Sequence, residues 1–315
     1  MSDNSEGQPG RVVVADALDE SAVALLRSHF EVVDVSKDPA KLGEAVATAR
    51  ALLVRSRTKV DAALFEKAPV LEVVGRAGVG VDNIDVLTAH RKGVIVVNAP
   101  GAAATSAAEL TVGLLIAVAR DFGSHIPALK QGQWTKGMNG FELHGRTAGI
   151  VGYGRIGREV GKRFRALGMR VIAHDPFVQR TDDGTTLVSF DELLSMSDVI
   201  SIHATFVNSS EHLFRAESLG KMRKGAVLLN LARGRFVHEG DLLAALESGH
   251  LGGAGLDVFE EEPSKNTKLL QHPHVVAVPH IGASTREAQE RAGRTVVEDV
   301  IRVLKGESPE FPVHV

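Results

Sequence analysis

Three glycines constrain the fold of this chain more tightly than any other feature. They stand at 152, 154 and 157 in Gly149-Ile-Val-Gly-Tyr-Gly-Arg-Ile-Gly157, directly after an apolar run, 147–151, that reads as a buried strand. Gly152 permits the tight turn out of the strand, Gly154 lets backbone approach an anion, and Gly157 lets the next helix pack close. A second apolar run, 170–173, ends just before Asp175. Strand, turn, helix, strand and acid in this order form the βαβ unit that holds a dinucleotide. Its helix N-terminus attracts the pyrophosphate, and the carboxylate accepts the ribose hydroxyls. Asp175 favours NAD over NADP, because a carboxylate repels a 2′-phosphate, and Arg180 close by works against that preference.

Short Val/Ile/Leu runs alternate with helix-like segments along most of the chain. Runs at 12–15, 51–54, 71–74 and 94–97 form one set, with helices expected at 21–30 and 39–49. Runs at 147–151, 170–173, 199–203, 226–230, 254–258 and 275–278 form a second. Continuous apolar runs of this length suit strands buried on both faces, so the expectation is α/β: two doubly wound, Rossmann-like parallel-sheet domains with the active site in the cleft between them. The nucleotide domain is expected over 99–283, inserted into a substrate domain made of 1–98 and 284–315. Residues 1–10 read as a disordered tail.

Composition narrows the function. The chain has no cysteine, which excludes disulfides, thiolate metal sites and a cysteine nucleophile. A formal charge of −3 gives no sign of a nucleic-acid partner. The apolar stretch 110–119 is too short to span a bilayer, and no signal-peptide pattern precedes it, so a cytoplasmic protein is expected.

Oxidising an alcohol carbon by hydride transfer needs a base for the hydroxyl proton and a cation for the substrate's carboxylate and oxygen. Three expected strand ends offer such groups: Arg233 in Asn230-Leu-Ala-Arg-Gly234, the carboxylates of Leu256-Asp-Val-Phe-Glu-Glu-Glu-Pro263, and His280 in Val278-Pro-His-Ile-Gly-Ala-Ser284. Singly, each could be a surface arginine, an acidic turn or a structural histidine. His272, His274 and His280 lack the spacing of a metal site, and no metal is expected.

Together these motifs resemble the D-isomer-specific 2-hydroxyacid dehydrogenase family over roughly residues 12–306. The resemblance implies that Arg233 holds the substrate carboxylate and oxygen, that His280 is the acid/base, and that Glu262 pairs with His280. It implies cofactor contacts from Gly152, Gly154, Arg155, Ile156, Gly157, Asp175, His203, Ala204 and Asp257, with NAD as the cofactor. Val74-Gly-Arg-Ala-Gly-Val-Gly-Val-Asp-Asn83, Asn98-Ala-Pro-Gly101 and His280-Ile-Gly-Ala-Ser-Thr-Arg-Glu-Ala288 are most similar to members that oxidise 3-phospho-D-glycerate to 3-phosphohydroxypyruvate, a step of serine biosynthesis. By that similarity Arg55 and Arg76 hold the phosphate, with Arg57 nearby, and Ala77, Gly78, Val79 and Asn98 serve the substrate. The alternatives are a glyoxylate or hydroxypyruvate reductase and, from another class, an NAD(H)-sensing protein-binding module. Such enzymes are usually homodimers or homotetramers, and helix 102–120 with the segment around Trp134 is the expected contact surface. Two departures stand out: His203-Ala-Thr-Phe-Val207 lacks the family's proline, and Val237-His238-Glu239 has histidine where aspartate or asparagine is usual. Many relatives carry a C-terminal serine-sensing domain, and serine feedback through one is not expected here.

Overall fold

In the computed structural model, which describes residues 10–137 and 140–314, every strand pairs in parallel with its neighbours. Contacts divide the chain into two units, Met1–Ala103 with Ala283–Val315, and Ala104–Gly282. The turn at 99–103 thus falls in the first unit rather than the second as expected. Ala99 and Ala102 are buried in the first unit's core, and Arg291 donates to the Ala102 carbonyl.

The first unit contains β1 (Arg11–Val14), β2 (Glu31–Asp34), β3 (Ala51–Val54), β4 (Val73–Arg76) and β5 (Ile95–Asn98), in the order β2-β1-β3-β4-β5. Two apolar clusters cover its two faces, which explains the uninterrupted burial of β3. The 19-residue helix Arg286–Leu304 supplies part of one cluster, and Thr285 caps it by accepting from the Ala288 N–H. The second unit contains β6 (Thr147–Val151), β7 (Arg170–His174), β8 (Thr186–Leu187), β9 (Val199–Ile202), β10 (Ala226–Asn230), β11 (Leu251–Leu256) and β12 (Val275–Ala277). Their order is β12-β11-β10-β9-β6-β7-β8. Here too an apolar cluster lies on each face.

In both sheets the chain begins in the middle, winds one way, then returns to the first strand's other side. The order reverses between β1 and β3 in one unit and between β6 and β9 in the other. Ligands of such sheets bind beyond the strands' carboxyl ends at this switch point. Strands β2 and β8 were absent from the sequence expectation. Both are edge strands, one half-exposed with charged ends and the other two residues long. The tail expected over 1–10 lies outside the described residues apart from Gly10, which is buried. Among the described residues no single helix is long and apolar enough to cross a membrane.

Candidate active site

At the end of β6, Gly152 adopts φ +87°, and a Cβ there would collide with the Ala204 backbone. Gly157, in the helix Arg155–Ala166, lies so close beneath the turn that a Cβ would overlap the Gly152 carbonyl. Gly154 differs. It is the helix N-cap, and nothing lies within 4 Å of where its Cβ would point. The turn is therefore packed on one side and open on the side where an anion would meet the helix N-terminus, flanked by Arg155 and Ile156. Asp175, beyond β7, accepts from the Tyr153 N–H at 2.8 Å and the Phe177 N–H at 2.9 Å. Each oxygen retains accepting capacity for a ribose hydroxyl.

His203 leaves β9 on the other side of the switch point, its N–H bonded to the Val151 carbonyl. Burial pushes its imidazole down to about 3, so the ring is neutral. Nε2 meets the Ser201 hydroxyl at 2.7 Å, whereas Nδ1 is buried with no hydrogen-bond partner among the described residues. A buried unpaired nitrogen is costly, which suits a position completed by a ligand. In the loop where Thr205 replaces the family's proline, Phe206 packs edge-on against Phe236 at 5.4 Å, with Arg235 over its ring. The other departure also has a local role. His238 caps the helix Glu239–Glu247, its Nδ1 accepting from the Asp241 N–H, which replaces the usual Asp or Asn cap.

The ends of β10, β11 and β12 carry the three chemical groups. Asn230 orders the loop after β10, donating to the Arg233 carbonyl and accepting from the Ala232 N–H. Gly234 presses against the next loop, where a Cβ would overlap the Phe259 carbonyl. Only glycine permits this approach, and sequence reasoning had no signal for it. After β11, Asp257 is buried and accepts from the N–H groups of Ile281 (2.6 Å) and Gly282 (2.9 Å). It thereby holds the turn that carries His280, a role beyond the cofactor contact expected of it.

His280 and Glu262 meet directly, Nδ1 to Oε2 at 2.8 Å. His280 sits at φ +52°, an uncommon conformation for histidine, held by its N–H bonding to the Asp257 carbonyl at 2.8 Å. The Glu262 hydrogen bond raises the His280 pKa against burial, and the Glu262 and Asp257 charges add to the rise while Arg233 opposes it. Burial pushes Glu262 upward, but the His280 hydrogen bond and charge, the Phe259 N–H and Arg233 outweigh it and leave the carboxyl lowered. Both shifts favour a charged pair. The neighbouring glutamates are engaged elsewhere, Glu260 with His212 and the Glu239 N–H, Glu261 with Lys265.

In the first unit, Arg55 and Arg57 differ. Arg57 donates to Asp16 and to the Ala15 and Ser36 carbonyls, so it is part of the scaffold. Among the described residues the Arg55 guanidinium makes one contact, 3.5 Å to the Ala17 carbonyl. Past β4, which ends at Arg76, the Ala77 N–H bonds to the Val54 carbonyl and the Gly78 N–H to the Arg76 carbonyl. Asn98 donates to the Val79 carbonyl at 2.6 Å and so braces the loop. The N–H groups of Val79 and Gly80 take no hydrogen bond among the described residues. These two N–H groups are open to a further acceptor, and Gly80 was not among the expected residues.

Residues 112–282 match the profile of the D-isomer specific 2-hydroxyacid dehydrogenase NAD binding domain. The chain belongs to that family. The matched segment is the family's NAD-binding domain and makes up most of the second unit. It is 44% identical over 96% of its length to a D-3-phosphoglycerate dehydrogenase of Methanocaldococcus jannaschii, of which it spans 59%. It is 43% identical over 93% of its length to a hydroxypyruvate reductase of Thermotoga maritima, of which it spans 98%. The crystal structure of the TT0316 protein from Thermus thermophilus superposes with a TM-score of 0.88, at 36% identity, over 96% of this chain and all of that one.

Proposed function

We propose that this chain oxidises 3-phospho-D-glycerate to 3-phosphohydroxypyruvate. The observation carrying the substrate is Arg55, a guanidinium left almost unengaged beside one locked into the scaffold. A guanidinium suits a phosphate bidentately. Arg76 is the second phosphate candidate. The turn 152–157, Asp175, His203, Ala204 and Asp257 would hold NAD, which when bound accepts the hydride from the substrate's C2.

The remaining chemistry falls to the chain's own side chains. Arg233 holds the substrate carboxylate and polarises the C2 oxygen. His280 takes the C2 hydroxyl proton. Its Nδ1 hydrogen is engaged by Glu262, so in the neutral ring Nε2 carries the free lone pair and is the accepting atom. Glu262 stabilises the resulting imidazolium. Asp257 fixes the imidazole's direction through the Ile281 and Gly282 N–H groups. Exposed Ile126, Leu129 and Trp134 support assembly into a homodimer or homotetramer, and a cytoplasmic enzyme fits this reading.

A second reading, reduction of hydroxypyruvate or glyoxylate with the same machinery, is favoured by the match to nearly the whole Thermotoga maritima reductase. NADH absorbance separates the two. Formation with 3-phospho-D-glycerate but not D-glycerate supports the first. Turnover confined to hydroxypyruvate and glyoxylate supports the second. Tight NADH binding with no turnover of any 2-hydroxy or 2-oxo acid would overturn both.

A further inference from the structure

The chain has a single tyrosine, and it lies inside the glycine-rich turn. Tyr153 is fully buried. Its backbone N–H donates to Asp175 at 2.8 Å, at the start of the segment 175–185. Its hydroxyl meets Asp183 Oδ2 and Thr185 Oγ1, both at 2.7 Å, at the end of that segment. Arg165, on the helix that follows the turn, donates to Asp183 and to Thr185, both at 2.6 Å. A phenol has one proton. If it goes to Asp183, Thr185 must donate to the phenol oxygen and accept from Arg165. The four side chains then close a ring of donors and acceptors. Room for the hydroxyl comes from Gly161, where a Cβ would lie 2.8 Å from it. Burial opposes ionisation of Asp183, but its bonds from Tyr153, Thr185 and Arg165 outweigh that and hold the carboxyl below its ordinary range. Between the two anchor points the segment is otherwise outward-facing, with Pro176, Phe177, Gln179 and Arg180 exposed.

We propose that Tyr153 is a positioning residue for the cofactor: one residue of the phosphate-facing turn clamps the segment 175–185 at both ends and so fixes where Asp175 presents its carboxylate. The proposal rests on the assignment of Asp175 to the NAD ribose. Without the hydroxyl, the far end of the segment loses its tie to the turn while the near tie, a backbone bond, survives. The segment then samples more conformations, and cofactor binding must order it again.

The test is isothermal titration of NADH into the whole chain and into Tyr153→Phe, Asp183→Asn, the double variant and Asp175→Ala, with melting temperatures alongside. Each of the first two should weaken NADH binding about tenfold, the scale of one lost hydrogen bond. The loss should fall on the KM for NAD more than on kcat, and the double variant should be no weaker than the weaker single. Unchanged NADH affinity in both single variants, whatever happens to melting, overturns the clamp, as does full multiplication of the two effects. Asp175→Ala locates the fault. If it weakens binding while the other two do not, the clamp is wrong and the cofactor assignment stands. If none of the three weakens binding, the assignment itself fails.

Discussion

The two sheets share a winding pattern but treat their switch points in opposite ways. Beyond β1 the chain places a buried aspartate, Asp16, which accepts from the N–H groups of Arg55 and Thr58, the Thr58 hydroxyl and the Arg57 guanidinium. Donors that could have met an anion are consumed internally. Beyond β6 stands a glycine turn with open space above Gly154, and the acid, Asp175, is set back at the end of the next strand. One switch point is thus closed by its own carboxylate, and the other is left for a ligand's phosphates. Topology offers the position twice, and the residue just past the first strand decides whether it is used.

The largest expected effect falls on the open side. His280→Asn should lower kcat by about 10²–10⁴, the range for a general acid/base, while NADH affinity stays put. A parallel loss of affinity would mean that His280 shapes the nucleotide site. Next, Asp16→Ala should cost about 3 kcal/mol of stability in a urea titration, because buried donors lose their acceptor, and leave NADH binding unaltered. Asp175→Ala should show the reverse pattern. If both substitutions gave the same pattern, the contrast would collapse. Arg55→Ala should raise KM about tenfold for the phosphorylated acid alone, as for a lost charged hydrogen bond, whereas Arg57→Ala should mainly lower the melting temperature. An equal effect of Arg55→Ala on phosphorylated and plain acids would remove the phosphate role. The smallest effect concerns pH. Oxidation needs neutral His280, so activity rises as pH climbs through its raised pKa. Glu262→Gln removes the group that raises it, and the acid limb of kcat/KM should move to lower pH. A shift to higher pH would reverse the assigned role of Glu262.

The glycine turn was readable because each glycine answers a local demand within one βαβ unit. Strand β10 was readable as an unbroken apolar run, Ala226–Asn230. Strand β11 was expected to begin later than it does. Gly252 and Gly253 weaken its apolar signal, yet a Cβ at Gly253 would crowd Val118 and the His274 carbonyl. The meeting of His280 with Glu262 entered only through family resemblance, since nothing local to either residue announces the other. The roles of Asp16 and Asp257 were illegible for the same reason. Each acts on backbone donors supplied by other stretches of chain, and a single sequence does not display such pairings.

The contact between Gly234 and the Phe259 carbonyl has a practical consequence for anyone altering substrate preference. The loop bearing Arg233 and the loop leading to Glu262 share one wall, with no slack for a side chain between them. Libraries that randomise one loop against a fixed copy of the other should yield mostly misfolded clones. The two loops form a single exchangeable cassette, to be transplanted from a donor enzyme together or left alone.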